Sequence, residues 1–288
     1  MFDISILVCT HKRIKTTSWL LESVKRNSSA NVQVVIIGDR SHVKSVDVPG
    51  MSVSEYFVAR EDVVTVERPE ESQGKKWVFV ECQTTKHYSA EKMDYRWDWP
   101  KLYMLHYATS YGMPFCDSDM ILGSIEDDMY FIRHWDDEFL SAVKEYDPDK
   151  YVFVHQQSDV NQLPYDYRPH IPDPTLVSYK SEDMMNTPEL EMDLLDRFCE
   201  RFYESVKRQR KVMPVKAQIT ELAPLLVKKS IITKMGGYHK ASVLFKGIEE
   251  RNESNSCEVL TKLNDFGIES KIQTGAVLFH NYYKQRMR

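Results

Sequence analysis

The stretch Ile4–Ile37 reads ISILVCTHKRIKTTSWLLESVKRNSSANVQVVII, and it decides the fold. Ile4–Cys9 is a continuous, partly β-branched apolar run with the length of a buried parallel strand. It breaks at Thr10-His11-Lys12-Arg13, after which Thr16–Lys25 sets Trp19, Leu20, Leu21 and Val24 at helical spacing. Val32–Ile37 is a second buried strand, closed by Gly38-Asp39-Arg40-Ser41. Strand, helix and strand in so short a span make a βαβ unit, so the sheet it starts should be parallel with right-handed crossovers.

A second stretch, ILGSIEDDMY at Ile121–Tyr130, is a short apolar run ending in three consecutive carboxylates, Glu126, Asp127 and Asp128. A strand that delivers acids to its own C-terminal edge builds a site for a hard cation and the anion that cation carries. Three adjacent carboxylates repel one another, so the run is stable only when solvated or neutralised by a metal or by basic groups. A solvated loop after an edge strand is the competing reading.

The other segments extend the same pattern. Met51–Ala59 and Val63–Val66 read as a helix and a short strand, and Glu67–Lys76 as a polar loop. Trp99–Tyr111 reads as a helix leading into the strand before Glu126, and Trp135–Val143 as an amphipathic helix with Trp135, Phe139 and Val143 on one face. After the strand Tyr151–His155, the prolines between Pro164 and Pro188 mark a long irregular segment. Thr187-Pro188-Glu189 is a helix start, and Leu195, Phe198, Phe202 and Val206 give that helix an apolar stripe. Its basic end, Lys207-Arg208-Gln209-Arg210-Lys211, suits a helix C-terminus or a polyanion contact. Leu225-Leu226-Val227, a helix Ser230–Met235 stopped by Gly236-Gly237, a helix around Cys257–Leu263 and a terminal strand Ala276–His280 complete the chain.

The 288 residues suffice for one compact unit with a sizeable core. Apolar residues at 42 % and charged residues at 28 % are ordinary for a globular protein, and a net charge of −5 excludes a broadly basic nucleic-acid surface. No apolar run approaches the ~20 residues needed to span a bilayer, and the N-terminal MFDISILVCTHKR has an acid where a signal peptide carries basic residues. The expected location is therefore the cytoplasm. Cys9, Cys82, Cys116, Cys199 and Cys257 are odd in number and scattered, which speaks against a zinc site or a disulfide framework.

Five motifs carry a family resemblance. SILVCTHKR at Ser5–Arg13, VVIIGDRS at Val34–Ser41, SIEDDMYFIRHW at Ser124–Trp135, KKSIITKMGGY at Lys228–Tyr238 and VLFHNYY at Val277–Tyr283 resemble, in order and rough spacing, family 2 and related nucleotide-sugar-dependent glycosyltransferases of the GT-A fold. The resemblance covers most of the chain except about residues 45–95 and 156–215. It implies a single α/β domain, Rossmann-like, with a mixed, mostly parallel central sheet flanked by helices. Residues 1–128 would be the nucleotide-sugar-binding half and 129–288 the acceptor-binding and metal-completing half, with 156–215 a helical and loop insertion.

The resemblance also implies roles. Thr10, Arg13 and Asp39 become base or ribose contacts, Lys101 a diphosphate contact, Asp127 a ribose contact, and Asp128 and His280 ligands of Mn2+ or Mg2+. Taken alone, Asp39 reads as a turn residue and Lys101 as an exposed lysine on a helix. Asn255-Ser256 stands where inverting members carry an acid pair, and neither can deprotonate a hydroxyl. Acids flank it, Glu249 and Glu250 in FKGIEER, then Glu253 and Glu258. Glu249 and Glu250 resemble the Gly-x-Glu-Glu form of the motif and become the general base and acceptor ligand. With none of these acids in position, the enzyme would retain anomeric configuration.

The implied activity is transfer of a sugar from a nucleoside-diphosphate sugar, a UDP-sugar first among them, to a hydroxyl acceptor such as a glycan. The basic Lys207–Lys216 region and Lys284–Arg288 add a nucleic-acid acceptor, a hydroxymethylated base in DNA as in viral genome-modifying enzymes. Two alternatives stay open. One is a non-catalytic sugar- or nucleotide-binding module of the same descent. The other is a sugar nucleotidyltransferase, against which the lack of glycine in Thr10–Arg13 counts.

Overall fold

The computed structural model describes residues 1–10, 13–39, 44–45, 48–82, 108–127, 129–159, 196, 200, 203–204, 207, 210–215, 224–237 and 263–280. The βαβ unit is present as β1 (Ile4–Thr10), α1 (Ile14–Asn27) and β2 (Val32–Asp39), with β1 parallel to β2 from Ile4 opposite Val32 to Thr10 opposite Gly38. Alternation along β1 sends Ile4, Ile6 and Val8 to one face of the sheet and Leu7 to the other, and all four are fully buried. A strand buried on both faces has no polar side, which is why it reads as one apolar run.

The sheet grows outward from this pair. A short helix, α2 (Val53–Val58), begins with a Ser52–Glu55 capping box and leads to β3 (Val64–Val66). Then comes β4 (Trp77–Cys82), parallel to both β2 and β3. The sequence reading left β4 unassigned although WVFVEC carries a strand's apolar run. The polar Glu67–Lys76 does form the loop before it, with a single 3-10 turn at Pro69–Ser72.

On the other side of β1 lies β5 (Met120–Glu126), also parallel. Then come β6 (Met129–Phe131), α3 (Trp135–Glu145), β7 (Tyr151–Asp159), β8 (Lys211–Pro214), β9 (Leu225–Lys228), α4 (Lys229–Met235) and β10 (Ser270–His280). The strand order is β3-β4-β2-β1-β5-β9-β7-β10-β6, with β8 on the first half of β10. Because β9 is antiparallel to both β5 and β7, and β10 is parallel to β7, the strands β1, β2, β4, β5, β7 and β10 all point the same way. The expected mixed, mostly parallel sheet flanked by helices is what the chain forms.

Only two residues join β5 to β6, yet β6 pairs with the far side of β10. Four strand spacings in a flat sheet would separate them by ~19 Å, whereas three Cα steps reach at most ~11 Å. The sheet therefore coils, bringing the end of β10 round towards the end of β5. The register of β10 on β7 shifts between Gln273 and Val277, a bulge of the kind that makes such a bend.

Helices cover both faces. Leu20, Leu21 and Val24 of α1 and Trp135 and Phe139 of α3 pack with Ile6 and Val8, while Ile231, Ile232 and Met235 of α4 pack with Leu7 and Ile37. Gly236 ends α4 in the left-handed region at φ 82°, and the Gly237 N–H donates to the Ile232 carbonyl at 3.0 Å, so the expected glycine stop is a Schellman-type cap. One expectation is corrected. Lys211 does not end a helix but opens β8, because Lys211–Pro214 finds ladder partners on Ser270–Gln273 that no local pattern discloses. Of the helix expected over Trp99–Tyr111, residues 108–111 are helical and the rest lies outside the described residues, as do most of the helices expected after Thr187 and around Cys257.

Candidate functional site

The six strands β1, β2, β4, β5, β7 and β10, which share their direction with β3, end together on one edge of the sheet, at Thr10, Asp39, Cys82, Glu126, Asp159 and His280. In open α/β sheets this carboxyl edge is where ligands bind. Asp127, the first residue past β5, lies against the turn between β1 and α1. The Thr10 hydroxyl donates to its Oδ2 at 3.3 Å, and Arg13 Nη1 donates to its Oδ1 at 3.4 Å. Thr10 and Arg13 thus hold different oxygens of the carboxylate. The Arg13 and Asp127 side chains retain 25 % and 13 % of their exposure, so the pair is neither buried nor fully solvated. At Asp127 itself, Arg13 supplies the opposing charge.

A residue that the sequence reading missed completes this corner. Thr17, fully buried in the first turn of α1, sets its Oγ1 2.7 Å from Thr10 Oγ1 and 2.5 Å from the Arg13 carbonyl oxygen. The Arg13 carbonyl also accepts the Thr17 backbone N–H at 3.3 Å. Thr17 therefore touches both the residue that ends β1 and the residue that precedes α1. In the sequence it is one hydroxyl among the polar residues of an amphipathic helix, with no signal to set it apart.

The other expected site residues divide into two groups. His280 is the last residue of β10, and its backbone pairs with Met129 on one side and Asp159 on the other. Ladder partners lie about 5 Å apart at Cα, and Met129 is two residues from Asp127, so His280 and the acidic run share one end of the coiled sheet. Asp159, which the sequence reading did not consider, ends β7 at the same level. Asp39 ends β2 opposite Cys82. For Asp39, Glu126, Asp159 and His280 the description covers the backbone. Lys101, Asp128, Glu249 and Glu250 lie outside the described residues.

Among the described residues no cluster of three or more His, Cys, Asp or Glu groups forms a metal centre. The donor types that the chain brings to this edge, carboxylate oxygens and one imidazole, suit Mn2+ or Mg2+. The basic run is partly committed elsewhere. Lys207 pairs with Glu204, and Arg210 pairs with Glu145 and donates to Ser141 Oγ at 2.6 Å. Among the described residues no helix is long and apolar enough to cross a membrane.

No family model and no curated protein matches the chain. Among solved structures it is similar to S. aureus TarS, at 11 % identity and a TM-score of 0.49 over 96 % of this chain and 36 % of that one. It is also similar to the mannosyltransferase PcManGT from Pyrobaculum calidifontis in complex with GDP-Man and Mn2+, at 11 % identity and a TM-score of 0.49 over 99 % of this chain. A third is glucosyl-3-phosphoglycerate synthase from Mycobacterium tuberculosis in complex with Mn2+, UDP and glucosyl-3-phosphoglycerate, at 9 % identity and a TM-score of 0.39 over 96 % of this chain. The chain spans 60 % of the length of the mannosyltransferase and 69 % of that of the synthase.

Proposed function

We propose that this chain is a glycosyltransferase that moves a sugar from a nucleoside-diphosphate sugar to a hydroxyl acceptor with the help of a divalent cation. The observation that carries the reading is the junction of Thr10 and Arg13 with Asp127 across two parallel strands, at the carboxyl edge where β10 also ends in His280. An acidic residue pinned at that edge accepts hydrogen bonds from ribose hydroxyls, and the Arg13 guanidinium beside it favours an anionic ligand.

In this reading Asp127, Thr10, Arg13 and Asp39 hold the nucleoside, and Lys101 contacts the diphosphate. Asp128 and His280 would hold Mn2+ or Mg2+, which neutralises the departing diphosphate. Glu249 or Glu250 takes the proton of the acceptor hydroxyl as its oxygen bonds to the anomeric carbon and the bond to the phosphate oxygen breaks. UDP-sugars are the first donors to try. The engagement of Lys207 and Arg210 in ion pairs within the chain leaves a glycan hydroxyl as the better-supported acceptor than a DNA base.

The test is a panel of nucleotide sugars with Mn2+, scored for binding and for release of the nucleoside diphosphate, on the wild type and on Asp128→Ala. Metal-dependent turnover of one donor, lost in the variant, is the expected result. Binding without hydrolysis or transfer would favour the non-catalytic module. Failure to bind any nucleotide would overturn the reading and return the acidic run to a solvated turn.

A further inference from the structure

We infer that Thr17 is a positioning residue of the donor site. It sets the affinity for the nucleoside diphosphate by holding Thr10 and Arg13 in the arrangement that grips Asp127. The inference rests on the glycosyltransferase reading and adds to it a residue that no motif contains.

The argument is one of proton supply and reach. Thr17 has one hydroxyl proton and two acceptors in range, the Arg13 carbonyl at 2.5 Å and Thr10 Oγ1 at 2.7 Å. Thr10 likewise has one proton, with Asp127 Oδ2 at 3.3 Å and the Arg13 carbonyl at 3.4 Å. When Thr17 donates to Thr10, Thr10 is left to donate to Asp127, so the two hydroxyls form a chain directed at the carboxylate. When Thr17 donates to the Arg13 carbonyl, it fixes the peptide whose side chain carries the other half of the grip. Both states stabilise the same corner.

Arg13 is the N-cap residue of α1, and its own side chain makes no capping bond to the helix. Thr17 back-bonds to the carbonyl four residues earlier, a contact with little benefit to a helix, while its contact with Thr10 Oγ1 links the end of β1 to the helix. The hydroxyl has no exposure and cannot meet a substrate itself, so its effect passes through Thr10, Arg13 and Asp127.

The experiment uses Thr17→Val, which keeps the β-branched shape and removes the hydroxyl, and Thr17→Ser, which keeps the hydroxyl. UDP and GDP are titrated with Mn2+ into each and into the wild type, alongside thermal melting. For the nucleotide the wild type binds, Thr17→Val should weaken affinity about five- to tenfold, as expected for one lost buried hydrogen bond. Thr17→Ser should restore the affinity, and in turnover the loss should fall on KM more than on kcat. In an Asp127→Asn background the Thr17→Val loss should shrink, because the two act as one unit. Equal affinities for a folded Thr17→Val and the wild type, or losses that simply add to Asp127→Asn, would overturn the inference. Should Thr17→Val not fold, a folded Thr17→Ser that binds as weakly as Asp127→Asn overturns it as well. A wild type that binds neither nucleotide refutes the functional reading and is recognisable before any variant is made.

Discussion

At the scale of single residues, the site corner shows how modest contacts add up. The Arg13–Asp127 pair at 3.4 Å is partly solvated, so by itself it is worth at most ~1 kcal/mol to folding. Its value is geometric, because Arg13 and Thr10 approach different oxygens of the carboxylate and so fix its orientation. Cys116 shows the opposite case, a polar group whose environment changes its chemistry. Burial pushes its thiol up to about 12, with the nearby Lys229 amine pulling weakly the other way. The unfolded thiol ionises near ~8.5, so above that pH the unfolded chain releases a proton that the native state keeps. Stability from this group is complete below about 8.5 and declines as pH rises towards 12. Urea midpoints should therefore fall more between pH 8 and pH 10 for the wild type than for Cys116→Ala, whatever the variant's starting stability. Equal slopes would show that the thiol is ionised in the native state.

At the scale of elements, the turn between α1 and β2 is joined to α3 by a carboxylate that is fully buried. Asp136, in the first turn of α3, accepts the backbone N–H groups of Ser29 and Ala30 through Oδ2, each at 2.7 Å. Burial raises its pKa, and the N–H bonds from Ala30 and Ser29 pull in the opposite direction. The turn between α1 and β2 is thus tied from outside the βαβ unit. Asp136→Ala should destabilise the protein by about 2 kcal/mol, the usual consequence of stranding a partly buried donor pair. Asp136→Asn, which keeps an acceptor oxygen, should lose less. Chemical denaturation of the two variants checks the order, and an Ala variant as stable as the wild type would remove the tie. Glycine has its own role in β2. A Cβ on Gly38 would lie 2.5 Å from the Phe79 ring, which is itself stacked on Phe57, so the strand that ends at Asp39 accepts no side chain there.

At the scale of the whole molecule, a polar seam fastens Asp196, Glu200 and Tyr203 onto α1, β6 and the start of α3. Asp196 accepts from Tyr130 Oη at 2.6 Å, from Asn27 Nδ2 at 3.0 Å and from Arg26 Nη2 at 3.1 Å, while keeping 9 % of its side-chain exposure. Glu200 pairs with Arg133 at 2.8 Å, Tyr203 stacks on His134, and the Tyr203 hydroxyl donates to Glu138 at 3.1 Å. Arg210 adds an ion pair to Glu145 and a hydrogen bond to Ser141 on α3. Removing the Asp196 acid takes a shared acceptor from Arg26, Asn27 and Tyr130 at once, although the Asn27 amide still donates to the Phe131 carbonyl at 2.8 Å. Asp196→Ala should cost about 3 kcal/mol and lower hydrogen-exchange protection around residues 196–210 more than in β1. Uniform loss of protection across the sheet would argue that the seam is part of the global folding unit.

The sequence by itself determined the βαβ start, the acidic end of β5, the glycine stop of α4 and the apolar β10, because each depends on local periodicity or on a residue with special backbone freedom. It left β4 unread and gave Lys211 to a helix, because β4 is flanked by polar stretches and β8 exists only through its partner strand. It proposed Thr10, Arg13 and Asp127 as one site but supplied no contact between them. Tertiary structure decided that Arg13 neutralises Asp127, that Thr17 braces both sides of the turn, and that the coil of the sheet carries His280 to the acidic edge. The grip on Asp127 and the place of His280 depend on strand order and register across more than a hundred residues of chain, and the Thr17 contact depends on the turn that joins β1 to α1.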